Sequence, residues 1–333
     1  MDIVIFHRNG TGGGISIQEN FRPLIYELSK ENNVKVYEVP YTGPNPIVLL
    51  KNILFIRKHS TKSGINHITG DIHYGVLGLI GRKSVLTIHD DYAIRQCKRG
   101  LLGKIYMWLF WIYLPIKIAK APICTTPTTL NNIKKLYNSK KLQVITHQIV
   151  PSVIRDVQKP FNKEYPQLLQ IGTQINKNLE TTMEAIKGMH CKLVVLKRMT
   201  ESQKETADKF NIDYTNKYDI PFEEVADEYH NCDIVVFPSL FEGLGMPIIE
   251  GQAAGKPVIT SNREAMNWTA GEAALLLENP LDVQEYKDAL NRIINDDDYR
   301  KELVEKGKKN VMRFSLQHAV EKYKDLYESV LKG

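Results

Sequence analysis

Between Phe241 and Thr260 the chain reads FEGLGMPIIEGQAAGKPVIT, with two glutamates, Glu242 and Glu250, set eight residues apart around a Gly-Leu-Gly-Met-Pro turn. An apolar, β-branched run, DIVVFPSL (233–240), comes before it, and its last five residues, KPVIT (256–260), form another such run. The pattern predicts a buried strand, then a short helix over PIIEGQAAG with Pro247 at its first position and Gly255 as its stop. The turn therefore lies where a strand ends and a helix begins, with free backbone N–H groups and the positive end of the helix dipole. Gly243 and Gly245 allow a ligand to approach the main chain closely, so the turn suits an anion such as a phosphate. Glu250, about one turn into the helix, is placed to accept hydrogen bonds from a vicinal diol such as a ribose. Glu242 faces the other side of that phosphate, where an attached sugar would present hydroxyls. The plainer alternative makes Glu242 a surface residue and Glu250 a stabiliser of the first helical turn.

Working outward, similar short runs recur along the whole chain with helix-length amphipathic segments between them. They are 2–7, 33–39, 66–69, 84–89, 122–126 and 142–146, then 167–172, 192–196, 233–238, 256–260 and 273–278. Apolar strands alternating with helices predict parallel sheets covered on both faces. The expected architecture is α/β, with two doubly wound Rossmann-like domains and a ligand cleft between them, beyond the carboxyl ends of the strands. Pro151, Pro160 and Pro166 mark a hinge near 151–166. The predicted domains are 1–155 and 156–314. Asp296, Asp297 and Asp298 read as a solvated helix end.

The 333 residues are 43% hydrophobic and 25% charged, a soluble globular composition long enough for two cores. Four scattered cysteines without metal-like spacing, and a strand-like start at Asp2, predict a cytoplasmic chain. The net charge of +6 conceals an asymmetry, because residues 1–155 hold 21 Lys/Arg against 8 Asp/Glu and the remainder 23 against 30. The first half is thus expected to face something anionic: nucleic acid, a membrane surface or a phosphorylated substrate. GKIYMWLFWIYLPIKIAK (103–120) has a continuous apolar core of 12 residues, short of the roughly 20 that span a bilayer. Its lysine flanks and its Trp108, Trp111, Tyr106 and Tyr113 leave a buried helix and an interfacial membrane contact both open.

DIVVFPSLFEGLGMPIIEGQAAGKPVI resembles the signature of the family-four retaining glycosyltransferases, in which a Glu, seven residues and a second Glu follow a Pro-Ser strand end. QIGTQINKNLETTMEAI is similar to the opening of that family's donor domain. FSLQHAVEKYKDLYESVL resembles its closing helix, which returns to the first domain and here covers 315–333. GGGISIQENFRPLIYEL and VLTIHDDYAI resemble its glycine-rich first loop and its His-Asp strand end. The resemblance implies a GT-B fold, a nucleotide-diphosphate sugar donor, retention at the anomeric carbon, and no metal or other cofactor. It implies catalytic roles for Lys177 as the phosphate lysine, Glu242 as an orienting and electrostatic group, and His89 near the donor sugar and acceptor. Donor contacts fall on Glu250, Gly243, Leu244, Gly245, Thr173 and Arg198, with Gly13 and Gly14 letting the phosphate approach the backbone; Asp90 lies on the acceptor side. Thr173 stands where many members carry a second phosphate arginine, and Arg198 is the nearest compensating candidate. The implied partners are the donor and a glycan or lipid-linked acceptor, with no nucleic acid; the basic first half and the aromatic-rich helix add a peripheral contact with an anionic membrane as an expectation. A non-catalytic nucleotide-sugar-binding subunit, and an epimerase or phosphorylase of the same fold, are the competing readings.

The run G-T-G-G-G-I from Gly10 does not match G-x-G-x-x-G, since Ile15 occupies the last glycine position, so a nicotinamide enzyme is not expected. His67, Asp71 and His73 are expected on a cleft-lining loop.

Overall fold

A strand covered on both faces cannot alternate in polarity, and the apolar runs behave accordingly. Residues 3–7, 65–69, 84–88, 121–124, 234–237 and 258–261 are buried without interruption. The computed structural model describes residues 1–9, 15–95, 97, 100–149, 153 and 159–333. Gly13 and Gly14, and most of the expected hinge, lie outside these residues.

The chain divides into Met1–Gln148 with Leu316–Gly333, and Ile149–Ser315. The first unit carries β1 (Asp2–His7), β2 (Asn33–Glu38), β3 (Ile65–Thr69), β4 (Lys83–Ile88), β5 (Ala121–Cys124) and β6 (Gln143–Val144). The second carries β7 (Gln167–Ile171), β8 (Lys192–Leu196), β9 (Asp213–Lys217), β10 (Ile234–Phe237), β11 (Val258–Ser261) and β12 (Leu275–Leu277). Every pairing is parallel, in the orders β2-β1-β3-β4-β5-β6 and β12-β11-β10-β7-β8-β9. In each sheet the chain winds outward from its first strand and then crosses to that strand's other flank. The winding therefore reverses between β1 and β3, and again between β7 and β10. Connections leave in opposite directions at such a point and open a crevice at the carboxyl ends, where ligands bind in sheets of this kind.

β9 was not expected from the sequence. Its residues, DYTNK, form an edge strand with little burial and so carry no apolar run. The acidic run at 296–298 does more than end a helix: Asp296 caps the next one, Asp297–Val311, by accepting from Tyr299 N. Pro247 is the second rather than the first residue of its helix, Met246–Ala253.

Gly100–Ile118 is one continuous helical run of 19 residues, with a wide π-type turn over Trp108–Tyr113. It extends beyond the expected 12-residue core and is long and apolar enough to cross a membrane by length and composition alone. Its Met107, Trp111, Ile112 and Ile116 pack into the core of the first unit. Pro115 has no N–H to offer the carbonyl of Trp111, and His73 Nδ1 donates to it instead at 2.8 Å.

His67 does not lie on a loop. It sits inside β3, fully buried, bonded through Nδ1 to the Tyr327 hydroxyl at 2.8 Å and through Nε2 to Thr87 Oγ1 at 2.7 Å. Tyr327 belongs to the closing helix Leu316–Lys332, whose Tyr323, Leu326 and Val330 complete the same core. Around Phe21 stand the rings of His7, His67, His89 and His147 at 5.3–6.4 Å. Burial holds His7 and His147 down at about 4 and His67 at about 3, against an ordinary 6.5. All three stay neutral in the folded unit, while the unfolded chain takes up protons below pH 6.5. Stability contributed by their neutrality is thus complete above about pH 6.5 and declines as the pH falls toward 4, by about 1.4 kcal/mol per pH unit for each histidine. Urea midpoints followed by tryptophan fluorescence are expected to drop steeply from pH 6.5 to 4.5, with a shallower slope for His147→Gln. Identical slopes for the two proteins would contradict this account.

Candidate functional site

The second unit's reversal point is built by two loops. After β7 the chain turns at Gly172, with φ of 97°, and enters a short 3-10 turn over Ile175–Lys177. A Cβ on Gly172 would lie 2.8 Å from Lys177 Cγ and 3.0 Å from its Cε, so this glycine lets the lysine stem fold across the strand end. Asn178 follows in the left-handed conformation and spans the loops, donating to the carbonyls of Pro238 (3.3 Å) and Pro280 (2.7 Å).

After β10 comes the glutamate-bearing turn. Lys177 Nζ meets Glu242 Oε1 at 2.5 Å, and both side chains are largely enclosed. Asn176 Nδ2 donates to the same carboxylate oxygen at 3.2 Å and to the Phe241 carbonyl at 3.1 Å, while Leu240 N donates back to the Asn176 carbonyl. The ammonium also lies 4.8 Å from the centre of the Phe237 ring. Lys177 and Glu242, 65 residues apart, are thus joined in one cluster. Asn176, which the sequence reading passed over, is part of it; its place beside Lys177 in a turn between strand and helix was the available signal.

Gly245 begins the next helix in the left-handed region, with φ of 91°. Leu244 is buried, and its carbonyl accepts from Thr269 Oγ1 at 2.6 Å. One turn on, Glu250 is buried and held by the equally buried Tyr229, whose hydroxyl donates to Oε2 at 2.5 Å. Burial raises the Glu250 carboxyl from 4.5 to about 7, and the tyrosine bond draws it partly back. Tyr229 was not singled out from the sequence. It lies on the core-facing side of the helix Phe222–Asn231 with the buried Ala226, and a core-facing tyrosine needs a hydrogen-bond partner.

Thr173 and Arg198 lie apart from this cluster. Thr173 Oγ1 donates to the Arg198 carbonyl at 2.8 Å and ties the ends of β7 and β8 together. The Arg198 guanidinium is exposed, 3.2 Å from Asp219 and stacked 4.3 Å over Tyr218.

In the first unit, His89 follows β4. Its Nδ1 is 2.9 Å from His147 Nε2, the rings stack at 4.8 Å, and its carbonyl accepts from Thr125 and Thr129. Its enclosed Nε2 has no partner among the described residues. Burial, then the neighbouring His147, holds its pKa well below 6.5, so it is a neutral imidazole. Asp90 is partly exposed, and the buried carboxylate beside it is Asp91, bonded by Arg95 Nε at 2.6 Å. His67, Asp71 and His73 are not a cluster: Asp71 pairs with Arg8 at 3.4 Å, and the two histidines bond elsewhere.

Glu250 carries a testable signature of a residue positioned against stability. Its ionised form is costly in the folded protein, so stability declines as the pH rises from about 4.5 through 7. Glu250→Gln is expected to stabilise the protein by about 2–3 kcal/mol at pH 8 and to change little at pH 5. Urea unfolding at the two pH values checks this, and equal effects at both would contradict it.

Residues 155–310 match the family model described as glycosyl transferases group 1. An uncharacterized glycosyltransferase of Methanocaldococcus jannaschii is 27% identical across 93% of this chain and 90% of its own length. The capsular polysaccharide biosynthesis glycosyltransferase CapM of Staphylococcus aureus is 31% identical over 44% of this chain and 40% of its own. Among solved structures, Anabaena HepE in complex with UDP and glucose is similar with a TM-score of 0.73, at 12% identity, over 99% of this chain and 100% of that one. At that identity the likeness speaks to the fold, the two parallel sheets of the GT-B type. The family model matches residues of the second unit, and a relative named for the activity is similar along nearly the whole length, so the chain is similar to the group 1 glycosyltransferases.

Proposed function

We propose that the protein is a retaining glycosyltransferase that moves a sugar from a nucleoside diphosphate to a glycan or lipid-linked acceptor in cell-surface polysaccharide or glycolipid assembly. The observation that carries the reading is the enclosed Lys177–Glu242 pair, at the point where the second sheet reverses its winding. The arriving diphosphate takes the ammonium from Glu242, and Lys177 neutralises the charge that develops on the leaving phosphate, as a metal ion would elsewhere. Glu242, released from its partner, turns its oxygens to the hydroxyls of the donor sugar. The positive amino end of the helix Met246–Ala253 attracts the phosphate oxygens. Glu250 accepts from the ribose hydroxyls, ionising when that bond replaces its burial cost. In the first unit, His89 Nε2 is assigned a hydrogen bond to a sugar hydroxyl or phosphate on the acceptor side.

The transfer follows a same-face course. The acceptor oxygen bonds to the anomeric carbon as the carbon–phosphate oxygen bond breaks, and the departing phosphate oxygen takes the acceptor's proton. Configuration is retained and no covalent enzyme intermediate forms. The CapM likeness supports the polysaccharide setting, and the UDP complex of HepE makes UDP the first nucleotide to test. The basic first half supports a place at an anionic inner membrane face.

Calorimetry with UDP, GDP, dTDP and ADP is expected to find one diphosphate that binds tightly to the wild type and is lost in Lys177→Ala and Glu250→Ala. Binding that survives both changes would sink the donor site. With the matching sugar donor, Lys177→Ala is expected to lower kcat by about a hundredfold or more. Activity is expected to survive EDTA, and anomeric proton couplings in the product should show retention; inversion or loss of activity in EDTA would refute the mechanism.

A further inference from the structure

His89 and His147 reach each other from different strands of the first sheet. His89 follows β4, and His147 follows β6, with the end of β5 between them. The strand pairing runs on past the strands on both sides. Thr125 N donates to the Ile88 carbonyl at 3.2 Å, and Ile145 N to the Cys124 carbonyl at 3.1 Å. The His89 backbone is fixed as well: its carbonyl accepts from Thr125 Oγ1 at 3.0 Å and from Thr129 Oγ1, in the helix Pro127–Leu136, at 3.1 Å. Phe21 closes the other side, its ring 5.3 Å from that of His147 and 6.4 Å from that of His89. An apolar ring offers neither histidine a hydrogen bond, and the two bond each other at 2.9 Å.

Burial, and then His147, His73, Arg8 and His67 around it, keep a charge off His89, and burial does the same for His147. The one guanidinium among these neighbours, Arg8, lines a pocket of about 300 Å³ walled by Tyr41, Tyr74 and Trp111. Two neutral imidazoles carry one N–H each. One of those protons lies in the shared bond, so the other lies on an outer nitrogen. If His147 Nε2 donates, that proton is on His89 Nε2; if His89 Nδ1 donates, it is on His147 Nδ1. The first arrangement leaves both rings as the Nε2–H tautomer, which a neutral histidine side chain favours in water. The second makes both the rarer Nδ1–H form. In the first, the N–H comes to rest at His89 Nε2, the enclosed atom that has no partner among the described residues. An enclosed donor without an acceptor is costly in the free protein and is satisfied when a ligand oxygen arrives.

We infer that His147 is the positioning residue of His89: its Nε2–H holds the His89 ring and keeps the His89 proton on Nε2, so that His89 meets a ligand oxygen as a neutral hydrogen-bond donor and not as a base. The inference deepens the proposed function and rests on it for the ligand, but the tautomer it assigns belongs to the first unit alone. It suits a same-face transfer, in which the leaving phosphate takes the acceptor's proton and no side chain has to. A neutral imidazole whose cationic form is suppressed by its surroundings can polarise an oxygen without giving up its proton.

The test joins histidine-selective nitrogen NMR to kinetics on wild type, His147→Gln and His147→Leu, with His89→Gln to assign the His89 signals. Two-bond nitrogen–proton correlations separate a protonated ring nitrogen from a bare one. Near neutral pH, wild-type His89 is expected to carry its proton at Nε2, with Nδ1 bare. His147→Leu offers no donor and is expected to mix the two His89 tautomers and to lower kcat about tenfold, with little change in the KM for the sugar donor. His147→Gln keeps an N–H and is expected to restore the Nε2–H form and to recover most of the lost rate. His89→Gln is expected to lower kcat about a hundredfold. A wild-type His89 with its proton on Nδ1 would overturn the inference, and so would equal kcat values for His147→Leu and wild type. If His147→Leu does not fold, a His147→Gln rate as low as that of His89→Gln overturns it instead. Failure of the wild type to turn over any diphosphate sugar would count against the proposed function, while its spectrum would still decide the tautomer.

Discussion

At Gly172 the chain leaves a buried strand with a positive φ, and the missing side chain leaves the space that the Lys177 stem occupies. A Cβ there would crowd the lysine's Cγ, Cδ and Cε and force the stem that carries the ammonium to shift. The arrangement follows from topology as much as from the residue. Parallel strands deliver every carboxyl end to one edge, and the reversal of winding between β7 and β10 keeps helices from covering that edge between them. A cation from one loop and a carboxylate from the other can then meet at 2.5 Å, half shielded from water, where charge interactions are stronger than at an open surface. An anionic ligand entering such a site meets an ammonium already fixed in place, so little reorganisation is needed as charge develops.

Both units keep polar groups in places where burial works against them. Glu250 is enclosed with a single strong donor, Tyr229, and its carboxyl rises to about 7 as a result. A carboxylate wanted only for helix stability would sit in water at the first turn, where the dipole favours it without desolvation. Its enclosure makes sense if a diol completes its hydrogen bonding. The histidines around Phe21 are different. His67 finds partners at both nitrogens and holds the closing helix through Tyr327, so it belongs to the architecture. His89 shares one nitrogen with His147 and leaves the other without a partner among the described residues, which sets it apart within the same cluster.

Much of this was legible because burial on both faces writes a strand as a plain apolar run. Eleven of the twelve strands among the described residues fall on short β-branched runs, even the little-buried edge strands β2 and β6, whereas β9, an edge strand of half-exposed polar residues, has nothing to distinguish it from a loop. The glutamate turn was legible too, since proline, glycine and carboxylate positions carry backbone meaning of their own. What the sequence concealed was pairing across distance. Lys177 with Glu242 could be placed by resemblance, but Tyr229 with Glu250 and His147 with His89 depend on which helix lies over which strand end. Arg198 was read as a strand-end cation without its neighbours, Asp219 and Tyr218, which lie at the end of the unrecognised edge strand.

The two crevices follow one plan with different settings. In each sheet, the loop after the first strand supplies a cation and the loop after the strand across the reversal supplies a carboxylate: Arg8 with Asp71, Lys177 with Glu242. The second pair is short and enclosed, with 18% and 15% of its side chains exposed, and it holds a compact ammonium in one position. The first is long and open, at 27% and 51%, and it presents a planar guanidinium with a donor to spare. An ammonium fixed by one carboxylate suits a single recurring charge, the diphosphate that every donor of one nucleotide carries. A loosely tethered guanidinium beside aromatic walls tolerates more variation in what it meets.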